Sequence, residues 1–484
     1  MNKSNYSNKA IIVTLGRSIE KILLIILYVL LSRYLSKYDY GTYRQVILVY
    51  SFFMIIFVFG MPASINYFLP KLNFEKQKTL IIQTVLFLLI ISFLLGGTLL
   101  LFNDTLSKIL NNVNLKSLTI LLSLLLIFSL PASIYYNFLI MIDKTKLCGL
   151  LSIIFGFMKL GFVLIAILYY NSIFNILLSL VLFSFLQLVI VLIIIFRYYS
   201  GISFTFSRVQ FIKQFQFAFP LGIASIIGIL IKRMDQFMIS YFFNPTDYAE
   251  YANGSIEIPF LSILTNSVMV VLMPFFVLAF EEGRISDFVS KWQTAILKVG
   301  LLIIPICAFL ISYSNEIIVS LFSQKYVISG LIFKIYLFSE FARITIFGNI
   351  LLALGKSKTI FKFASITLLL NLILNLIMIK IFGLIGPAIA SVLSVYIMNT
   401  MQLFEISRTL NVKVHNLWPW KKLTIILFIS FLIALLSSVP KYLFDTLILQ
   451  ISIGVIIFLI SYYLLFKKTI SKMYPNLDFI FWKR

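Results

Sequence analysis

Eight basic side chains sit inside stretches of this sequence that are otherwise apolar: Arg17, Lys21, Lys159, Lys232, Arg233, Lys298, Lys334 and Arg343. Four acids share those stretches: Glu20, Asp235, Glu257 and Glu340. Ammonium and guanidinium groups bind phosphate and carboxylate, arginine in a two-pronged way, so the basic set is suited to gripping an anion. Carboxylates in the same surroundings can carry a proton or hold a sodium ion, and Glu20, Asp235 and Glu257 are the candidates for ion coupling. The rest of the chemical repertoire is thin. The only histidine, His415, lies in a polar link, and the two cysteines, Cys148 and Cys307, lie in or at the edge of apolar segments. They form no disulfide framework, no metal-ligand spacing and no Ser-His or Cys-His nucleophile pair. No catalytic residue, metal site or cofactor is therefore expected.

Some of these charges can neutralise one another. Residues three or four apart share a helix face, which permits the pairs Arg17–Glu20, Lys232–Asp235 and Glu340–Arg343. Lys21, Lys159, Arg233, Lys298 and Lys334 then remain against Glu257. Lys334 is near enough to a span end to snorkel. Lys21, Lys159 and Lys298 lie roughly 11–12 residues into their spans, about 16–18 Å at about 1.5 Å per residue. A base at the bilayer centre costs roughly 2.5–3.5 kcal/mol and usually faces a bundle interior or a wet cavity. Arg17, Lys21, Lys159, Lys232, Arg233, Lys298 and Arg343 are accordingly expected to line a central cationic cleft. Asn66, Tyr67, Tyr135, Tyr136, Asn137 and Gln187 offer groups for sugar hydroxyls, and none of them stands out.

The elements that hold these residues follow from composition. The chain is 484 residues long and 61% hydrophobic, with a mean hydropathy of +1.04. A soluble domain is about half apolar, so the solvent for most of this surface must be lipid. The net charge of +23 would suggest nucleic acid in a soluble protein, but the bases sit in short loops between apolar runs, as the positive-inside rule describes. No nucleic-acid partner is expected. With about 20 apolar residues per crossing, fourteen spans emerge: 10–35, 43–69, 77–102, 115–141, 147–170, 173–198, 213–241, 247–280, 287–313, 328–354, 358–382, 383–408, 421–440 and 445–467. The first run contains Arg17, Glu20 and Lys21 and no Ala-x-Ala site, so it reads as a retained helix rather than a leader. Of the 40 Lys and Arg residues, 24 fall on the side of the N-terminus, 8 on the other side and 8 within spans. Both termini are expected on the cytoplasmic side. Five prolines, Pro62, Pro131, Pro220, Pro274 and Pro305, fall inside spans and mark kinks or hinges.

The first twelve spans repeat. Asp39-Tyr40-Gly41-Thr42-Tyr43 between spans 1 and 2 is matched 208 residues on by Asp247-Tyr248-Ala249-Glu250-Tyr251. Asn137 to Lys146 after span 4 is matched 212 residues on by Asn349 to Lys358, with Lys-x-Lys in both, and Pro62 is matched by Pro274. Six spans separate the copies, so they have the same orientation, as in transporters built from parallel repeats around a cleft. The expected fold is an all-α polytopic membrane protein of about 14 transmembrane helices. It has two six-helix lobes, 1–212 and 213–410, and a region 411–484 with an extra helix pair and a cytoplasmic tail.

These same residues carry a family resemblance. Arg33-Tyr-Leu-Ser-Lys-Tyr-Asp-Tyr-Gly-Thr-Tyr43, Lys232-Arg233-Met-Asp235-Gln236 through Tyr251, Ser314-Asn-Glu316 through Phe322, and Leu354-Gly355-Lys356-Ser-Lys358 resemble, in order, segments of the polysaccharide transporter (Wzx-like) family. That family belongs to the multidrug/oligosaccharidyl-lipid/polysaccharide (MOP) exporter superfamily, whose fold is MATE-like. The resemblance implies a flippase that moves an undecaprenyl-pyrophosphate-linked oligosaccharide (an O-antigen, capsule or teichoic-acid-type precursor) from the inner to the outer leaflet of a bacterial cytoplasmic membrane. It implies alternating access, driven by an H+ or Na+ gradient or the membrane potential. It also implies a monomer that works beside polysaccharide polymerase and chain-length machinery. Spans 13 and 14 resemble the extra pair of fourteen-helix members, in some of which that pair forms a groove for the lipid tail. The arginine pattern of lipid II flippases is absent from Tyr50 to Met61. Two alternatives are a multidrug or other exporter of the same fold, which would favour acids in the cleft, and a membrane polymerase or acyltransferase, which would need an external loop and an intramembrane histidine.

Overall fold

A computed structural model describes residues 3–170, 172–201 and 203–473. The expected tail beyond residue 473 lies outside them. The described residues form helices and no strands. Two compact units emerge, Met1–Ala252 and Asn253–Arg484.

The first unit carries α1 (Lys3–Tyr34), α2 (Lys37–Phe57), α3 (Met61–Phe68), α4 (Phe74–Leu101), α5 (Asn103–Ile109), α6 (Leu115–Ala132), α7 (Tyr135–Met141), α8 (Thr145–Tyr170), α9 (Ile173–Tyr198) and α10 (Arg208–Phe242), and its boundary falls at Ala252, two residues before the end of α11 (Pro245–Gly254). The second carries α12 (Pro259–Glu281), α13 (Ile285–Ser312), α14 (Ser314–Phe322), α15 (Val327–Arg343), α16 (Phe347–Ala353), α17 (Ser357–Phe382), α18 (Gly386–Leu410), α19 (Val414–Leu417), α20 (Trp420–Ser438), α21 (Pro440–Leu443) and α22 (Leu447–Met473). Eleven stretches of the described residues are long and apolar enough to cross a membrane. One of them, Ser357–Leu410, contains both α17 and α18. With α1 and the α11–α12 pair added, the pattern is consistent with fourteen crossings.

Four expected spans are interrupted. Span 2 breaks between α2 and α3, where Phe59 and Gly60 take φ of 48° and 70°. Span 4 breaks between α6 and α7, and span 10 between α15 and α16, where Ile346 has φ 49°. Span 8 breaks at 255–258. Pro259 opens α12 and places Ile258 at φ −90°, ψ 102°; proline disfavours helical geometry in the residue before it and fits the first helical position. Non-helical backbone at membrane depth is tolerated where protein satisfies it. At the span 10 break the Trp292 indole, fully buried, donates to the Thr345 carbonyl at 3.2 Å.

The internal repeat is visible in the element boundaries. α1 and α10 end 208 residues apart, α7 and α16 share both boundaries at an offset of 212, and so do α8 and α17. Between Tyr251 and Pro274 the second copy holds four residues more than the first does between Tyr43 and Pro62, and the break at 255–258 is four residues long. The repeated motifs are helix caps. Ser36 Oγ accepts from Asp39 N at 3.0 Å, and Asn244 Oδ1 accepts from Asp247 N at the same distance. Asp143 and Gly355 take φ of 61° and 71°. The following lysine nitrogens, Lys144 and Lys356, donate to the Leu139 and Leu351 carbonyls at 2.8 and 2.9 Å, which is a Schellman closure.

In the second unit the extra helix pair is fastened to α13 and α14. Tyr313 Oη donates to the carbonyls of Ser437 at 2.5 Å and Gln450 at 3.1 Å, Lys441 pairs with Glu316 at 2.7 Å, and Tyr462 Oη donates to the Leu301 carbonyl at 3.0 Å.

Candidate functional site

The cations of α1 occupy one face. Arg17, Lys21, Leu24 and Leu27 follow one another at steps of four, three and three residues, and Glu20 lies three residues from Arg17 and four from Leu24, so the set stacks on a single side of a helix. That side forms a wall of a cavity of about 310 Å³ in the first unit, together with Tyr50 of α2, Ser129 of α6, Lys159 of α8, and Ser184 and Gln187 of α9.

A seam of glycines brings Lys159 to this wall. A Cβ on Gly16 would meet the Gly149 carbonyl oxygen at 2.6 Å, and one on Gly149 would meet the Ile12 carbonyl at 2.9 Å. One on Gly156 would meet Leu23 at 2.8 Å and Glu20 Cα at 3.4 Å. Small residues let helix backbones approach closely in lipid, so α1 and α8 lie backbone against backbone. Lys159 is one turn beyond Gly156, and the Glu20 carboxylate faces the charges of Lys159, Arg17 and Lys21, in that order of strength. Among the described residues, none of the four makes an ion pair or a hydrogen bond. The Arg17–Glu20 pair that spacing permits does not form; Arg17 stacks on the Tyr136 ring, 3.9 Å from its centroid.

This seam gives a direct test. Gly149→Val would push a branched side chain into backbone, where no rotamer escapes. Overpacking of flexible side chains costs about 1–3 kcal/mol, and rigid backbone yields less, so the variant should lose its folded, monodisperse form in detergent. Gly161→Val, also on α8 but with no atom near its Cβ position, should behave as the parent by size-exclusion chromatography.

The remaining expected site residues fall elsewhere. Asp235 on α10 is buried and accepts from Tyr251 Oη at 3.0 Å and from Gln236 N at 2.8 Å, and Arg233 donates to Gln236 Oε1 at 3.0 Å. Lys232 is exposed. Glu257, expected inside a helix, lies in the 255–258 break and is exposed, because Pro259 starts the helix only after it. Lys298 and Lys334 are exposed on α13 and α15 of the second unit, and Arg343 pairs with Glu340 at 2.9 Å, as their spacing suggested. Of the sugar-binding candidates, Gln187 lines the cavity, whereas Asn66 and Asn137 bond each other at 3.0 Å and Tyr67 stacks on Phe217 at 4.4 Å. Tyr50, Ser129 and Ser184 were not singled out. Their only trace in the sequence is a lone polar group inside an apolar run.

A second polar assembly in this unit was not anticipated. Arg44 is buried on α2; its Nη1 donates to Tyr40 Oη and its Nη2 to the Ala252 carbonyl, both at 2.8 Å, and its plane lies 4.3 Å from the Tyr28 ring centroid. Gln45 donates to Ser240 Oγ at 2.7 Å, Asn112 donates to Gln45 Oε1 at 2.6 Å, and Lys37 pairs with the buried Glu250 at 2.5 Å. These bonds tie the start of α2 to α10 and α11. The approach is close enough that a Cβ on Gly41 would overlap the Pro245 carbonyl, which accounts for the small residue in the repeated Asp-Tyr motif. The copies differ where Asp235 has Leu27 as its counterpart 208 residues earlier. Tyr251 has a carboxylate to bond, and the buried Tyr43 hydroxyl has no partner among the described residues.

Known proteins resemble this chain at the level of family and fold. The family described as polysaccharide biosynthesis protein matches residues 7–280. An uncharacterized membrane protein of Methanocaldococcus jannaschii is 24% identical over 483 residues, covering 93% of this chain and 93% of its own. The solved structure of the lipid II flippase MurJ in an inward closed conformation matches with a TM-score of 0.74 over 95% of this chain and 100% of that one, at 18% identity. An inward-facing multidrug resistance MATE family transporter matches at 0.59, over 82% and 98%, with 13% identity. A MOP superfamily transporter from Pyrococcus furiosus, described as having a binding pocket of reverse polarity, matches at 0.52, over 83% and 95%, with 12% identity. At these identities the structural likeness is one of fold.

Proposed function

Since this chain belongs to the polysaccharide biosynthesis protein family, we propose that it is a flippase for a lipid-linked oligosaccharide whose anionic linker is held by Arg17, Lys21 and Lys159. One observation carries the reading: three cations share a half-open cavity in a membrane-spanning unit and are left without an ion pair among the described residues. Unpaired charge at membrane depth is costly and marks a substrate path. Phosphoryl groups are the natural complement of such a set. Tyr50, Ser129, Ser184 and Gln187 in the same wall supply hydroxyl and amide groups for the first sugar. An undecaprenyl pyrophosphate carrier and a precursor of O-antigen, capsule or teichoic-acid type fit this chemistry. Transport then runs from inner to outer leaflet of the cytoplasmic membrane, with both termini inside. An ion gradient or the membrane potential drives it, and Glu20 and Asp235 are the carboxylates available within spans.

The test is a vesicle assay. Full-length protein is reconstituted with a lipid-linked oligosaccharide confined to one leaflet, and its sugar is probed with a membrane-impermeant lectin. Exposure of the sugar faster than in protein-free vesicles supports the reading. Exposure at the protein-free rate, together with transport of a cationic drug, would establish the multidrug alternative instead.

A further inference from the structure

Glu20 is out of place in a site built to hold an anion. It sits in the cavity wall between Arg17 and Lys21, and a carboxylate there repels any phosphoryl group bound by the three cations. Resting on the anion-site reading above, we infer that Glu20 is a specificity-determining residue. It trims the cavity to two net positive charges and so selects the glycosylated carrier, a pyrophosphate diester, over the bare carrier diphosphate.

The argument is one of charge matching. A pyrophosphate esterified at both ends, by lipid on one phosphoryl and sugar on the other, carries one negative charge per phosphoryl. Without the sugar, the terminal phosphoryl has a second ionisation near neutrality and takes about −1.5 to −2. The bare carrier is thus more negative by up to one charge. Three cations less one carboxylate balance the diester. The extra charge of the bare carrier must leave water with no base of its own in the wall to compensate it, at a cost that repulsion from Glu20 increases. The other groups that face Glu20 do not alter the count: Tyr135 from α7 and Cys148 from α8 are uncharged near neutrality, and Lys159, Arg17 and Lys21 are already in it. From α2, α6 and α9 the wall receives only Tyr50, Ser129, Ser184 and Gln187 as polar groups. One unit charge at about 10 Å, in an effective dielectric of about 20, corresponds to a discrimination on the order of tenfold. The selection would have a purpose, because carrying the bare lipid outward accomplishes no export.

The experiment uses the full chain in lipid nanodiscs and two probes, farnesyl pyrophosphate and the same lipid pyrophosphate esterified with a single sugar. Wild-type protein should bind the diester roughly tenfold more tightly. Glu20→Gln should gain more affinity for the bare pyrophosphate than for the diester and lose most of the preference, while Glu20→Asp should keep it. Equal wild-type affinity for the two probes overturns the inference without requiring any variant to fold. So does a ratio unchanged in a folded Glu20→Gln protein that still binds both. If wild-type protein binds neither probe, the anion-site reading falls and takes the inference with it.

Discussion

Replacing Arg17 and Lys159 together by glutamine is expected to abolish transport of the lipid-linked oligosaccharide while making the protein more resistant to unfolding. The two effects have opposite signs for one physical reason. A hydrogen bond from a charged donor contributes about 1.5–3 kcal/mol, so losing two should weaken linker binding by roughly a hundredfold or more. Yet among the described residues neither side chain makes an ion pair, and Glu20 is the one carboxylate that faces both, so the set holds more positive charge than its acid offsets, at a cost. Removing an unpaired charge relieves that cost. Arg17 does give up its stacking on Tyr136, a contribution of about 0.5–2 kcal/mol, and Lys159 gives up its attraction to Glu20, so the stabilisation should be smaller than two isolated charges would give. Transport is read in the lectin-accessibility assay and stability by the unfolding midpoint in detergent. A double variant that transports normally would remove the cavity from the mechanism. One that fails to transport because it no longer folds would mean that these bases are structural.

Arg44→Ala is expected to have the largest effect on stability of any single charge removal in the first unit. The guanidinium donates to a phenol and to a backbone carbonyl and covers the face of a third residue. Truncation leaves the Ala252 carbonyl and Tyr40 hydroxyl buried without that donor. A hydrogen bond from a charged donor contributes about 1.5–3 kcal/mol, and Arg44 makes two such bonds, so a total of about 3 kcal/mol is reasonable. Arg44→Lys should recover little, because an ammonium cannot reach two acceptors in a fixed fork and stack at the same time. Comparable unfolding midpoints for Arg44→Lys and the parent would contradict this account. Lys37→Ala, which removes the partner of the buried Glu250, tests whether the neighbouring ion pair belongs to the same assembly. Its loss should add less than the full single-variant effects when combined with Arg44→Ala, since contacts within one network are not additive.

Much of the fold was legible in the sequence because the features that carry it are local or compositional. Hydropathy marked the spans, and proline and glycine marked their ends. The repeat could be read from Asp-Tyr and Lys-x-Lys because these are capping residues, fixed by backbone geometry at Asp39, Asp247, Asp143 and Gly355. The interruptions in spans 2, 4, 8 and 10 were not legible. A sliding count of apolar residues runs straight through a break whose flanks are equally greasy, as Phe57-Val58-Phe59 and Ile344-Thr345-Ile346 are. Glu257 was misplaced for that reason. Ion pairing was legible only where both partners share one turn and nothing else competes. Glu340 and Arg343 do pair, whereas Arg17 found an aromatic ring from another helix and Asp235 found Tyr251.

The sequence by itself determined that lipid is the solvent, that the helices repeat, and that a surplus of positive charge lies within the apolar spans. Each is a property of residue type, and type sets the cost of leaving water. Only the tertiary structure decided which of those charges meet. Glu20 and Lys159 are separated by 139 positions in the chain, and they face each other because Gly16, Gly149 and Gly156 let two helices touch backbone to backbone. No periodicity within either helix encodes that contact. It depends on the absence of three side chains at the crossing, and it turns scattered intramembrane bases into a single cavity with one acid among them.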